Sequence, residues 1–132
     1  MSYISKSKYY NVKTRASDGT VLDSAKEARR YEELLVLQRA GKIRELQRQV
    51  RYELVPAQYE FYPRYGKNGD RLKDGQRLLE RSVDYVADFV YVDVESGNTI
   101  VEDAKSPATR TRDYIIKKKL MLYVYSIRIK EV

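Results

Sequence analysis

The chain has 132 residues and contains neither cysteine nor histidine. Without cysteine, disulfides, zinc knuckles and thiol nucleophiles are excluded. Without histidine there is no Ser-His-Asp triad, no HNH-type nuclease centre and no His-ligated zinc or iron. Any metal used here is held by oxygen. Tryptophan is also missing, whereas thirteen tyrosines provide aromatic, hydrogen-bonding surface. No apolar run approaches the length of about 18 residues that a membrane helix needs, and MSYISKSKYY lacks the apolar centre of a signal peptide. A soluble, cytoplasmic protein with no membrane partner is expected.

What is present points to one α/β domain spanning 1–132, because the length suits a single core and no biased segment reads as a linker. Lysine and arginine number 26 against 19 aspartates and glutamates, a net charge of +7. That excess fits a partner that carries phosphates, and equally a merely solvated surface.

Residues 9–23 hold Asp18-Gly19 between short β-prone segments, which predicts a small hairpin. SAKEARRYEELLVLQRAG follows as a helix, with Ser24 as N-cap, Glu27 three residues on and Gly41 past the end. Ala28, Tyr31 and Leu35, flanked by Leu34 and Leu37, form its apolar face. RQVRYELVP alternates as a strand, with Val50, Tyr52 and Leu54 on one side, and stops at Pro56. Residues 57–77 collect glycines, aromatics and cations, and read as a long basic and aromatic loop or an extended hairpin. Strand signals run from Leu78 to about Lys105. A second helix carries Ile116, Leu120 and Tyr123 at i, i+4 and i+7, and Ile127 and Ile129 mark a last strand. The expected architecture is a central mixed sheet flanked by helices.

ADFVYVDVESGNTIVEDAK places charge in such a sheet. With a two-residue turn at Ser96-Gly97 or Gly97-Asn98, positions 86, 88, 90 and 92 share a face with 101, 103 and 105. Asp88, Asp103 and Lys105 then converge among Val86, Val90, Val92 and Val101. In the Ser96-Gly97 register Asp88 faces Lys105 and is diagonal to Asp103, with neighbours about 5 Å and about 7–8 Å apart. Two such carboxylates can share Mg²⁺, with Mn²⁺ as a substitute, and the lysine can stabilise a phosphate or activate water. The same residues also make sense as a simple ion pair at a sheet edge. Glu102 alternates to the other face.

An acid on one strand followed by acid-x-Lys on the next resembles the PD-(D/E)xK nuclease superfamily, with Asp88 and Asp103-Ala104-Lys105 at the matching positions and Ala87 in place of the proline. SAKEARRY, AGKI, LQRQVRYEL, YVADFVY, IVEDAKS and a Tyr-x-x-Lys-Lys helix together resemble a small phage-encoded branch of that superfamily, over about residues 8–132. The chain is also similar to end-cleaving endonucleases of transposons and to Holliday junction resolvases. The resemblance implies a restriction-endonuclease-like core and a metal-dependent DNA endonuclease, acting on branched duplex as a homodimer.

It further implies a third acid, Glu27, an active-site role favoured over the other reading, the return partner of a capping box. Gln49 matches a glutamine beside the site, or is an ordinary strand residue. Tyr114 and Lys118 are placed to touch a phosphate, while Arg64, Lys67, Arg110, Arg112 and Lys117 are candidates for nucleic-acid contact. A non-catalytic nucleic-acid-binding module, stacking Tyr59, Phe61, Tyr62 and Tyr65 on DNA, is the alternative.

Overall fold

A computed structural model describes residues 12–132. Strands β1 (Thr14–Arg15) and β2 (Val21–Leu22) pair antiparallel around the expected Asp18-Gly19 turn, where Gly19 adopts φ 89°. Residues 9–11 of that predicted hairpin lie outside the described residues. Helix α1 (Ala25–Arg39) starts at Ser24, whose hydroxyl accepts from the Glu27 N–H at 3.1 Å. It ends in a Schellman turn: Gly41, at φ 74°, donates to the Gln38 carbonyl and Lys42 to that of Leu37. The chain thereby reverses straight into β3 (Ile43–Val55), which begins five residues before the alternating stretch foreseen from sequence.

β4 (Gln58–Tyr65) and β5 (Arg71–Glu80) form a separate two-stranded hairpin. Of the two readings of residues 57–77, a long loop or an extended hairpin, the second applies: the segment is an extended arm closed by the tight turn between Gly66 and Asp70. Beyond it come β6 (Val83–Asp93), β7 (Thr99–Asp103), α2 (Arg112–Tyr125) and β8 (Lys130–Glu131), the last strand only two residues long. One mixed sheet has the order β3-β6-β7-β8, antiparallel except for the parallel pair β7–β8.

Two apolar clusters fill the core. Leu22, Ala28, Tyr31, Leu34, Ile43, Phe89 and Tyr91 pack around α1. Leu54, Tyr85, Ala87, Val90, Val101, Tyr114, Met121 and Ile129 pack around α2. Phe89 and Tyr91 enter the first cluster and Val90 the second, as alternation requires. Tyr85 and Ala87 lie an even number of residues from Phe89 yet join the second, so the alternation slips at Asp88. Opposite it on β3, between the paired residues Arg48 and Val50, Gln49 has φ 52°. A left-handed non-glycine residue inside a strand is uncommon and costs about 1–3 kcal/mol. The slip explains why Val86, expected beside Asp88, is instead 45% exposed.

The apolar stripe foreseen on the second helix is not the one that packs. Tyr114 and Met121 are buried, while Ile116 is 55% and Tyr123 87% exposed. Nine of the fourteen residues of α2 are apolar and surround its whole axis, so spacing alone does not select a face. Met121→Ala should therefore cost about 2–5 kcal/mol and Tyr123→Ala within about 0.5 kcal/mol in urea unfolding; the reverse ranking would mean that α2 packs by the other stripe.

Candidate active site

The β6–β7 connection is the four-residue loop Val94–Gly97, not a two-residue turn. Asp93 organises it: its N–H donates to the Asn98 carbonyl at 2.9 Å, its carbonyl accepts from Gly97 at 2.7 Å and its carboxylate from Ser96 N–H at 3.0 Å. The even loop length keeps Asp88 and Asp103 on shared register positions: the pairing ends at Phe89↔Glu102, and the two acids are the residues just beyond that last pair. Lys105, expected opposite Asp88, is two residues past Asp103.

Asp88 accepts a hydrogen bond from the Ala104 N–H at 2.8 Å. Asp103 is almost fully buried; its Oδ2 accepts from the Tyr85 hydroxyl at 2.6 Å. Its Oδ1 lies 3.3 Å from Lys105 Nζ but receives no hydrogen bond. Lys105 Nζ in turn sits 4.4 Å from the centre of the Tyr114 ring. From α1, Glu27 is only 4% exposed, and its Oε1 accepts from Gln49 Nε2 at 3.3 Å. Ser24 thus caps the helix without a reciprocal bond from Glu27 in the described structure, and the glutamate turns inward.

Asp88 and Glu27 both resist ionisation in this setting. Burial, then the charges of Asp103 and Glu27, push the Asp88 carboxyl up to about 8, against the opposing Ala104 hydrogen bond. Burial also raises Glu27, helped by Asp23 and opposed by Arg48. Tyr85 and Tyr114 are both raised, first by burial and then by the charge of Asp103.

The donor set is all hard oxygen, and one buried oxygen of Asp103 lacks a hydrogen bond, which fits a hard divalent cation such as Mg²⁺. Among the described residues no three metal-ligating side chains are already gathered as a cage. Ion binding would use Asp88, Asp103 and Glu27 together with waters.

Residues not foreseen from sequence hold this arrangement. Glu102 is fully buried and bound by Arg30 through two 2.7 Å hydrogen bonds, and the Tyr91 hydroxyl also donates to it. The Lys26 ammonium donates to the Lys105 carbonyl. β7 therefore grips α1 on both sides of Glu27. Arg48 stacks over Tyr31 at 5.7 Å and its Nε is buried without a hydrogen bond. The only sequence signal for Arg30 was its place three residues after Glu27, and for Tyr85 its place three before Asp88.

Other expected residues scatter. Tyr114 belongs to the site, with a buried hydroxyl that makes no hydrogen bond. Lys118, expected at a phosphate, pairs with Glu131 at 2.5 Å, and Arg110 pairs with the same carboxylate at 3.0 Å. Both therefore lean on β8 and not on the acids. Lys117 lines a cavity of about 270 Å³ together with Asp103, Lys105 and Tyr114. Arg112 is exposed in the first turn of α2, and Arg64 and Lys67 lie on the β4–β5 arm.

Because Asp88 is raised in the folded state, its contribution to stability is complete below about pH 4 and is lost as pH rises towards about 8. In metal-free buffer the unfolding free energy should fall across that window by up to about 1.4 kcal/mol per pH unit. Asp88→Asn should flatten the slope and exceed wild type in stability above pH 8; a wild-type protein that gains stability with rising pH would contradict the placement of Asp88.

Breaking one partner of a buried ion pair costs about 3–5 kcal/mol. Arg30→Met alone should show that loss in urea unfolding, while Arg30→Met with Glu102→Leu should recover most of it; equal losses in both variants would show that the pair is not the contact that matters.

A family model described as "protein of unknown function (DUF1064)" matches residues 6–131. No curated protein and no solved structure matches the chain. The protein belongs to the DUF1064 family.

Proposed function

We propose that the protein is a Mg²⁺-dependent endodeoxyribonuclease of the PD-(D/E)xK type, with a restriction-endonuclease-like core formed by the mixed sheet, α1 and α2. The observation that carries this reading is the pair Asp88 and Asp103 on adjacent strands, with Lys105 two residues on and Glu27 from α1 within electrostatic reach. Asp88, Asp103 and Glu27 would hold the ion, which supplies Lewis acidity toward a phosphodiester. The chain's own residues do the rest. Lys105, 3.3 Å from Asp103 and open to the cavity, meets the charge of the phosphate. Tyr85 fixes the rotamer of Asp103, and Gln49 holds Glu27. Tyr114 sets its ring against the Lys105 ammonium at 4.4 Å.

The substrate reading is branched duplex DNA, such as a four-way junction in phage DNA metabolism, cut by a homodimer with two such sites. The net charge of +7 supports a polyanionic substrate. Mn²⁺ should replace Mg²⁺ at an all-oxygen site.

A second reading, a non-catalytic nucleic-acid-binding module on the same fold, draws on the exposed aromatic and cationic side chains of the β4–β5 arm. Incubation with Mg²⁺ and duplex, flap or four-way junction DNA separates the two. Wild type should cut at least one substrate, chelation should abolish cutting, and Asp103→Asn or Lys105→Ala should slow it on the order of 100-fold or more. Binding without cleavage of any substrate would leave the module.

A further inference from the structure

The β4–β5 arm has no role in the catalytic cluster, and every residue of its two strands except Gly75 is exposed. An isolated two-stranded hairpin is marginal in water. This one is stiffened by its own side chains. Tyr62 lies flat on Gly75, where even a methyl group would collide with the ring. Arg77 covers Tyr62 at 5.3 Å and pairs with Glu60 at 2.7 Å. Near the tip Arg71 covers Tyr65 at 5.6 Å and pairs with Asp74 at 2.7 Å. The arm is thus a preformed ribbon that stands off the core.

Its charge is uneven. Between residues 64 and 74 lie four cations, Arg64, Lys67, Arg71 and Lys73, against Asp70 and Asp74. Asp74 is taken by Arg71, and among the described residues Arg64, Lys67 and Lys73 have no acid within ion-pair distance. The proline of the ribbon, Pro63, falls at the irregularity between Tyr62 and Arg64 on β4, which makes that edge a poor template for a further strand. A cationic tip beside a blocked edge suits a polyanion better than strand addition by another chain.

From this geometry we infer that the β4–β5 arm is a DNA-gripping element that enters a groove of double-stranded DNA outside the cleavage site, with Arg64, Lys67 and Lys73 on backbone phosphates. A two-stranded ribbon has the width that the major groove of B-form DNA admits. The apolar side chains Tyr59, Phe61 and Leu78, of which Tyr59 and Leu78 are directly paired, meet sugars and thymine methyl groups there. The inference builds on the nucleic-acid reading of the protein but not on catalysis.

The test is the triple variant Arg64→Glu, Lys67→Glu, Lys73→Glu, all surface positions, compared with wild type by fluorescence anisotropy on labelled duplex DNA in EDTA over a range of salt. Three lost phosphate contacts should lower affinity at least tenfold and reduce the slope of log K against log salt by about 3. Thermal melts should coincide, and hydrolysis of the small ester bis(p-nitrophenyl) phosphate with Mg²⁺ should be unchanged. Loss of DNA binding together with no ester hydrolysis by either protein would sink the nuclease reading and leave the arm in place. Unchanged affinity and slope would overturn the inference. So would light scattering that shows a wild-type dimer falling to monomers in the variant while DNA affinity per chain is retained, since the arm would then be a contact between copies.

Discussion

The buried pair Arg30–Glu102 is the contact on which the site depends. Glu102 is completely buried next to Asp103, and Arg30 follows Glu27 by one helical turn, so the two hydrogen bonds between them set how far along β7 the helix α1 can sit. A buried carboxylate of this kind is tolerable only with a paired, well-oriented cation. Tyr91 completes its hydrogen bonding, and Lys26 fastens the other side of Glu27 to the Lys105 carbonyl. The helix is consequently not free to slide, and Glu27 is held beside strands whose own acids repel it.

That repulsion is the second part of the design. A sheet interior normally excludes carboxylates, yet Asp88 and Asp103 sit just beyond the last pair of β6 and β7 with Glu27 near by. The alternation of β6 slips at Asp88, and Gln49 opposite it takes a left-handed backbone, so the acids occupy the least regular point of the sheet. Irregularity of this kind is a reservoir of strain that persists when the surroundings enforce it. The crowded acids hold a proton at neutral pH, and a divalent ion would replace it by offsetting both burial and mutual repulsion. The local cost in stability would thus become affinity for a cation in the proposed nuclease.

Much of this was legible in the residues. The cap at Ser24, the stop at Gly41 and the alternation of Val50, Tyr52 and Leu54 are local signals, and local signals survive folding. The grouping of Asp88, Asp103 and Lys105 followed from parity alone and held even though the loop is longer than expected, because four residues and two residues give the same parity. The exact partner across the strands did not follow, since it depends on how Asp93 closes the loop. Nor did the packed face of α2, whose apolar residues surround the axis. Arg30, Tyr85 and Arg48 were invisible for a different reason: each acts through a partner far away in the chain, and nothing near them in sequence marks the contact.

Asp88, Asp103 and Glu27 are proposed to form a divalent-cation site. Isothermal titration of the metal-free protein with Mn²⁺, side by side with Asp103→Asn and Glu102→Gln, tests it most directly. Wild type should bind saturably, Asp103→Asn should not bind, and Glu102→Gln should bind more weakly, because it touches no ion but loosens the grip of Arg30 on the sheet. Equal binding by wild type and Asp103→Asn, or no binding by wild type, would contradict this proposal.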